Sequence, residues 1–167
     1  FRNCRNVRLE GFKVRGSPCW TLVLEVCEDI VIRGVDSSSS GPNVDGIDLS
    51  SCNRALVENC TLDQTDDCYT IKSGANETGR RRGIPSENIV IRDCRAVRGH
   101  SLLGIGSEVS GGIRNVHMRG CSVAEDCWRL LFVKTNPKRG GFVENVSIEN
   151  IRAKKAGQSV MEVEMFY

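Results

Sequence analysis

Three aspartates, a histidine and a lysine carry the chemistry this sequence can offer. Asp45 sits in Asn43-Val44-Asp45-Gly46, Asp66 and Asp67 are adjacent in Asp66-Asp67-Cys68-Tyr69, His100 follows Gly99, and Lys134 closes Phe132-Val133-Lys134. Carboxyl groups held close together can divide into a proton donor and a base that activates water, while a neighbouring histidine or lysine tunes or pairs their charge. Hydrolysis by general acid–base catalysis is the reaction class such a set suits. The nine cysteines include no Cys-x-x-Cys, which argues against a zinc ribbon or a thioredoxin-like site. No metal and no cofactor is expected.

Residues so far apart in the chain need a scaffold that brings them together, and the sequence repeats. Six segments beginning at Asn6, Asp29, Arg54, Asn88, Asn115 and Asn145 share one pattern, as in Asn6-Val7-Arg8-Leu9-Glu10-Gly11-Phe12 and Asn88-Ile89-Val90-Ile91-Arg92-Asp93-Cys94. Self-similarity of this kind marks a solenoid. Val7, Ile30, Ala55, Ile89, Val116 and Val146 follow one another at intervals of 23, 25, 34, 27 and 30 residues. The longest interval contains Gly79-Arg80-Arg81-Arg82-Gly83, which reads as a loop growing from one corner. Apolar and polar positions alternate within each unit, the mark of a strand with one buried face. Near the end of each unit stands Gly11, Gly34, Asn59, Asp93, Gly120 or Asn150, residue types that tolerate φ > 0 and let the chain turn.

No stretch between the units shows capped helical spacing, so a βαβ arrangement is excluded. The expected architecture is all-β: a right-handed, single-stranded parallel β-helix of about six coils, one partial domain over residues 1–167, truncated at both ends. Stacking in register makes one interior row of Val7, Ile30, Ala55, Ile89, Val116 and Val146. It makes another of Cys60, Cys94 and Cys121, thiols acting as small buried hydrophobes rather than disulfide partners.

A second apolar row, Leu49, Ile71, Ile105 and Val133, aligns the chemistry. It sets Asp45 beside Asp67, Asp66 beside His100, and Lys72 near Lys134. Asp45 and Asp67 then stand about 4.8 Å apart, one strand spacing, and each is expected to raise the other's proton affinity. Asp45, Asp66, Asp67 and His100 are the candidate catalytic residues. Lys72 and Lys134 are candidates for binding substrate, joined by Arg80 and Arg81 because a basic run beside an acidic cleft suits a polyanion. Trp20 and Trp128 are expected to pack beneath loops, and His117 to lie on the surface. With 23 basic and 21 acidic residues, a net charge of +2 gives no reason to expect nucleic acid or a membrane surface as partner. No apolar run reaches the length of a membrane span.

Taken in order, Asn43-Val44-Asp45, Asp66-Asp67-Cys68, Gly99-His100 and Val133-Lys134-Thr135 resemble the four signature segments of the polygalacturonase family of glycoside hydrolases, family 28. The likeness extends through Ser73-Gly74, Pro85-Ser86-Glu87-Asn88, Ile105-Gly106-Ser107-Glu108 and Lys134-Thr135-Asn136-Pro137, and leans toward the bacterial exo-acting branch. It implies hydrolysis of α-1,4-galacturonosyl bonds in pectic polysaccharide or oligogalacturonide, with inversion, by a secreted or periplasmic protein. It also implies Asp66 as general acid, Asp45 and Asp67 as the pair activating water, His100 in support, and Asn43 and Lys134 on the substrate.

Three positions depart from the pattern: Phe132 stands for an arginine, Ser101 for a glycine, and Thr65 for Gly or Gln. Phe132 shares a strand face with Lys134 and is expected to lie against a sugar ring without neutralising a carboxylate. Two other functions fit a β-helix. One is a carbohydrate-binding or structural solenoid. The other is a calcium-dependent polysaccharide lyase with the aspartates as ligands, which lacks a basic residue placed for proton abstraction.

Overall fold

The computed structural model describes every residue from Phe1 to Tyr167. Six strands, Arg5–Glu10, Glu28–Arg33, Asn53–Glu58, Ser86–Arg92, Ile113–Arg119 and Val143–Glu149, pair in that order as one parallel sheet. Val7, Ile30, Ala55, Ile89, Val116 and Val146 are direct partners across it, as the repeat predicts.

Each early coil continues through two further strands. Lys13–Arg15, Asp36–Ser38 and Thr61–Asp63 stack on one side; Leu22–Glu25, Ile47–Ser50 and Tyr69–Lys72 stack on another. In the fourth and fifth coils these two faces merge, because Arg95–Gly106 and Ser122–Lys134 each run unbroken across both. Arg152–Ala153 and Ala156–Glu164 complete the last coil. The result is a right-handed parallel β-helix, the hand that parallel crossovers take.

Two left-handed residues per unit shape the coil. Gly11, Gly34, Asn59, Asp93, Gly120 and Asn150 have φ from 53 to 68°, at the corners expected of them. A second such position opens each unit: Asn6, Asp29, Arg54, Asn88, Asn115 and Asn145, with φ from 50 to 58°. Asn and Asp reach this region at less cost than other side-chain-bearing residues. Three of these asparagines, with Asn53 beside Arg54, form a ladder along the axis. Asn88 Nδ2 donates to Asn53 Oδ1 at 2.9 Å, Asn115 to Asn88 at 3.1 Å and Asn145 to Asn115 at 2.7 Å. Arg54, left-handed where its counterparts are Asn or Asp, forks onto Asp29 and Glu28 at 2.7 and 2.8 Å.

The outer edge of the same sheet carries an ion-pair row. Arg33 bridges Glu10 at 3.1 Å and Glu58 at 2.6 Å, and Arg92 meets Glu58 at 2.6 Å. Arg119 stands next in that row, and Glu149 after it. Inside, Cys60, Cys94 and Cys121 stack as expected, Cys4, Cys27 and Cys52 form a parallel row, and all nine thiols are free.

The segment read as a basic loop is instead an α-helix, Asn76–Arg82, ended by Gly83 at φ 59°. The Gly83 N–H returns to the Gly79 carbonyl at 3.0 Å, and Arg80, Arg81 and Arg82 fill the last turn. Cations belong there, because the unpaired carbonyls of a helix C-terminus carry partial negative charge.

The amide ladder generates a stability prediction. Asn115→Ala removes two axial hydrogen bonds and puts an alanine at a left-handed φ, so it should cost about 1–3 kcal/mol in urea unfolding. A loss below about 0.5 kcal/mol, the range of neutral surface changes, would mean that the ladder does not stabilise the coil.

Candidate active site

On the third face Leu49, Ile71, Ile105 and Val133 are direct partners. The Gly46 N–H donates to the Asp67 carbonyl at 2.9 Å and the His100 N–H to the Asp66 carbonyl at 3.0 Å. Asp45 is thereby seated against Asp67, and Asp66 against His100. Between these interior rows, alternate residues face outward: Asp48, Thr70, Gly104 and Phe132 in one line. Gly106 pairs with Lys134 in the next. The bare positions matter. A Cβ on Gly104 would stand 2.7 Å from Asp67 Oδ2, so only glycine leaves room for that carboxylate. Gly106 is bare for a different reason: its φ is 95°, and a Cβ there would run into the Lys134 carbonyl oxygen. The cleft has a volume of about 210 Å³ and is lined by Asn43, Asp45, Asp66, Asp67, Lys72 and Lys134, together with Trp20, Glu108 and Tyr167.

The carboxyl groups in and beside this cleft are not equivalent. Asp67 is 1% exposed and accepts from Ser101 Oγ at 2.6 Å and Lys134 Nζ at 2.9 Å, with His100 Nδ1 at 3.4 Å. Burial by itself would raise its pKa. Hydrogen bonds from His100 and Ser101 and the Lys134 charge outweigh burial and bring it down to about 2. Asp45 moves the other way. Burial raises it, Lys72 at 2.9 Å opposes, and the charges of Asp66 and Asp67 add to the rise.

Asp48, also 1% exposed, lies 3.3 Å from the same ammonium, at ion-pair distance without hydrogen-bond alignment. Burial foremost pushes it up to about 8. One ammonium between two buried carboxyl groups neutralises one, and the other retains a proton. The expectation that Asp45 and Asp67 raise each other therefore holds for Asp45 alone, because Asp67 has a lysine of its own.

Asp66 is half-buried. Its Oδ1 accepts from the Asp67 N–H at 2.9 Å and lies 3.8 Å from His100 Nδ1, and its Oδ2 is uncommitted. On the far side of the imidazole, Arg129 Nη1 meets His100 Nε2 at 2.9 Å. Asp66, Asp67 and His100 could offer three ligand atoms within 4.8 Å of one another. A divalent cation there would meet the Lys134 ammonium already seated on Asp67, so the donor set suits a metal poorly.

Several residues lie elsewhere than expected. Phe132 is 1% exposed, covered by the Arg129 guanidinium 4.2 Å from its ring centre and by the Tyr167 ring at 5.8 Å; it faces protein, not an open sugar site. Trp20 and Trp128 are exposed rather than packed beneath loops. Trp20 stacks under the Lys72 ammonium at 4.2 Å, and Trp128 meets His100 edge-on at 5.2 Å. Arg80 donates to the carbonyls of Lys138 and Arg139, and Arg81 pairs with Glu77; neither lines the cleft. His117 does occupy the outward position expected of it, with Nδ1 2.9 Å from Ser147 Oγ. The contacts of Ser101, Gly104, Asp48 and Arg129 escape sequence reasoning. For Ser101 a signal existed, since it breaks the Gly-His-Gly pattern and supplies the shortest hydrogen bond to Asp67.

Comparison with known proteins agrees with this fold. The profile described as Glycosyl hydrolases family 28 matches residues 1–167, and the chain belongs to that family. A "Probable polygalacturonase" of Vitis vinifera is 30% identical over 152 residues, which cover 89% of this chain and 31% of that protein. The "Polygalacturonase" of Juniperus ashei is 28% identical over 169 residues, covering 98% and 31%. The crystal structure of a hyperthermoactive exopolygalacturonase from Thermotoga maritima superimposes with a TM-score of 0.91 at 42% identity, over 98% of this chain and 37% of that one. A family 28 exopolygalacturonase from Yersinia enterocolitica, at 21% identity and a TM-score of 0.88, shares the fold over 94% of this chain and 28% of its own. This chain spans about a third of the length of the curated relatives it matches.

The depressed Asp67 makes a prediction about acid. Its folded pKa of about 2 lies below the ordinary 3.8, so the stability it confers is complete above pH 3.8 and is lost as pH falls through 2. Ser101→Ala deletes a donor to the charged form. A hydrogen bond to a charge is worth about 1.5–3 kcal/mol, so Asp67 should rise by about one to two pH units. The acid-unfolding midpoint, followed by circular dichroism, should move to higher pH. An unmoved midpoint would remove Ser101 from this role.

Proposed function

We propose that this chain carries the acid–base centre of an enzyme that hydrolyses α-1,4-galacturonosyl bonds of pectic polysaccharide or oligogalacturonide with inversion. The observation that supports it best is the unequal treatment of three aspartates beside one cleft. Asp67 is clamped as an anion by Lys134, Ser101 and His100, Asp66 is half-buried with a free oxygen, and Asp45 is buried on Lys72. Glycoside hydrolysis needs carboxyl groups whose surroundings push their proton affinities apart.

In this reading Asp66 gives a proton to the glycosidic oxygen as the bond from C1 to that oxygen breaks. Asp67, with Asp45, holds a water and takes its proton as the water oxygen bonds to C1 from the opposite face. His100 supports the acid pair. Lys134 keeps Asp67 ionised, and with Lys72 it meets substrate carboxylates, while Asn43 contacts the sugar. Arg80 and Arg81 add a positive field from the corner helix, whose Thr78 and Arg82 line a neighbouring depression with Ala75, Trp20 and Lys72. The pectic substrate is supported by the Thermotoga maritima exopolygalacturonase and the plant polygalacturonases that this chain resembles. A polymer of the plant cell wall is met outside the cytoplasm, so the enzyme is secreted or periplasmic.

Two measurements test the reading. Asp66→Asn should lower reducing-sugar release from polygalacturonate by about a hundredfold or more with the circular dichroism spectrum unchanged, since the general acid is lost; near-normal turnover would take the role from Asp66. Proton NMR of the first product should show the β-anomer before mutarotation. The α-anomer appearing first would overturn inversion while leaving hydrolysis in place.

A further inference from the structure

Resting on that reading, we infer that Arg129 is a positioning residue which, anchored by Glu162, fixes the tautomer of His100 so that its one proton faces Asp66 and Asp67. Arg129 lies in the long strand Ser122–Lys134, pairs in register with Ser101, and is buried. Its guanidinium makes three hydrogen bonds. Nε and Nη2 fork onto the Glu162 carboxylate at 2.6 and 3.2 Å, and Nη1 reaches His100 Nε2 at 2.9 Å. Its central carbon lies over the Phe132 ring, 4.2 Å from the ring centre.

A guanidinium is planar and only donates. Once the Glu162 fork and the Phe132 ring have set its plane, the direction of Nη1–H is set too, and Nε2 of His100 must present a lone pair to it. The imidazole proton then sits on Nδ1, 3.4 Å from Asp67 Oδ1 and 3.8 Å from Asp66 Oδ1. Nε2 makes no other hydrogen bond, and the imidazole packs at a steep angle against the rings of Trp128 and Phe132. Glu162, Arg129, His100 and the acid pair come from four successive coils, so each link spans one coil step. Phe132 serves this relay: an arginine in its place would set a second guanidinium against Arg129, with Lys134 Nζ 5.0 Å from the same spot.

The test reads the tautomer without turnover, by nitrogen-15 NMR of labelled histidine in the protein. His100 should show protonated Nδ1 and bare Nε2 in the wild type; protonated Nε2 would overturn the inference even if hydrolysis stands. Arg129→Met should let the Nε2–H tautomer appear and lower kcat by about tenfold to a hundredfold, as misplacing a supporting group does, with KM within about twofold. Arg129→Lys keeps a donor without the fork and should recover part of both. An unchanged tautomer in Arg129→Met, or an effect on KM alone, would reduce Arg129 to packing. If that variant does not fold, the wild-type spectrum still decides.

Discussion

Backbone hydrogen bonds from each coil to the next determine which residue stands over which, and the rest of the molecule inherits that order. A slip of one residue would turn Ile30, Ala55 and Ile89 outward and their charged neighbours inward, so the interior holds the register firmly. Two left-handed residues per unit keep each coil in phase with the last. The same order stacks thiol on thiol and amide on amide. It also lines up an acid, an acid, a hydroxyl and a guanidinium, at Asp45, Asp67, Ser101 and Arg129, on four neighbouring coils.

Crowding so many carboxyl groups is tolerable because each meets a different answer to its charge. Asp67 has a lysine, a hydroxyl and an imidazole to itself. Asp45 and Asp48 must divide the single ammonium of Lys72. Asp66, left partly in water, needs no ionic partner. Chemical inequality among identical side chains thus arises from how many cations the register delivers to each, and bare Gly104 leaves the room that the Asp67 carboxylate fills.

Much of this was legible in the sequence. The rows through Val7 and through Leu49 could be read because strand periodicity is strict and their residues are aliphatic. The corners could be read because only Gly, Asn and Asp turn there. The helix Asn76–Arg82 could not, since it is short, has no side-chain cap at its start and shows no apolar stripe. The burial of Phe132 depends on Tyr167, distant in sequence, and on a guanidinium folding over it. The Arg129 relay was invisible because pattern alone does not say how far an outward side chain reaches or which way it turns. The left-handed opening residues were missed because Asn at a strand start looks like an ordinary turn former.

The ion-pair row on the first sheet repeats differently from the core it covers. Apolar positions recur every coil, but the sign of charge from Glu10 through Arg33 and Glu58 to Arg92 recurs every second coil. At Arg92 and Arg119 the alternation slips, and two cations stand side by side before Glu149 restores it. Growth of such a solenoid by one coil leaves the interior indifferent but reverses the polarity of everything downstream on the edge. Growth by two satisfies both rhythms, so the Arg92–Arg119 step is a phase boundary between two electrically coherent blocks.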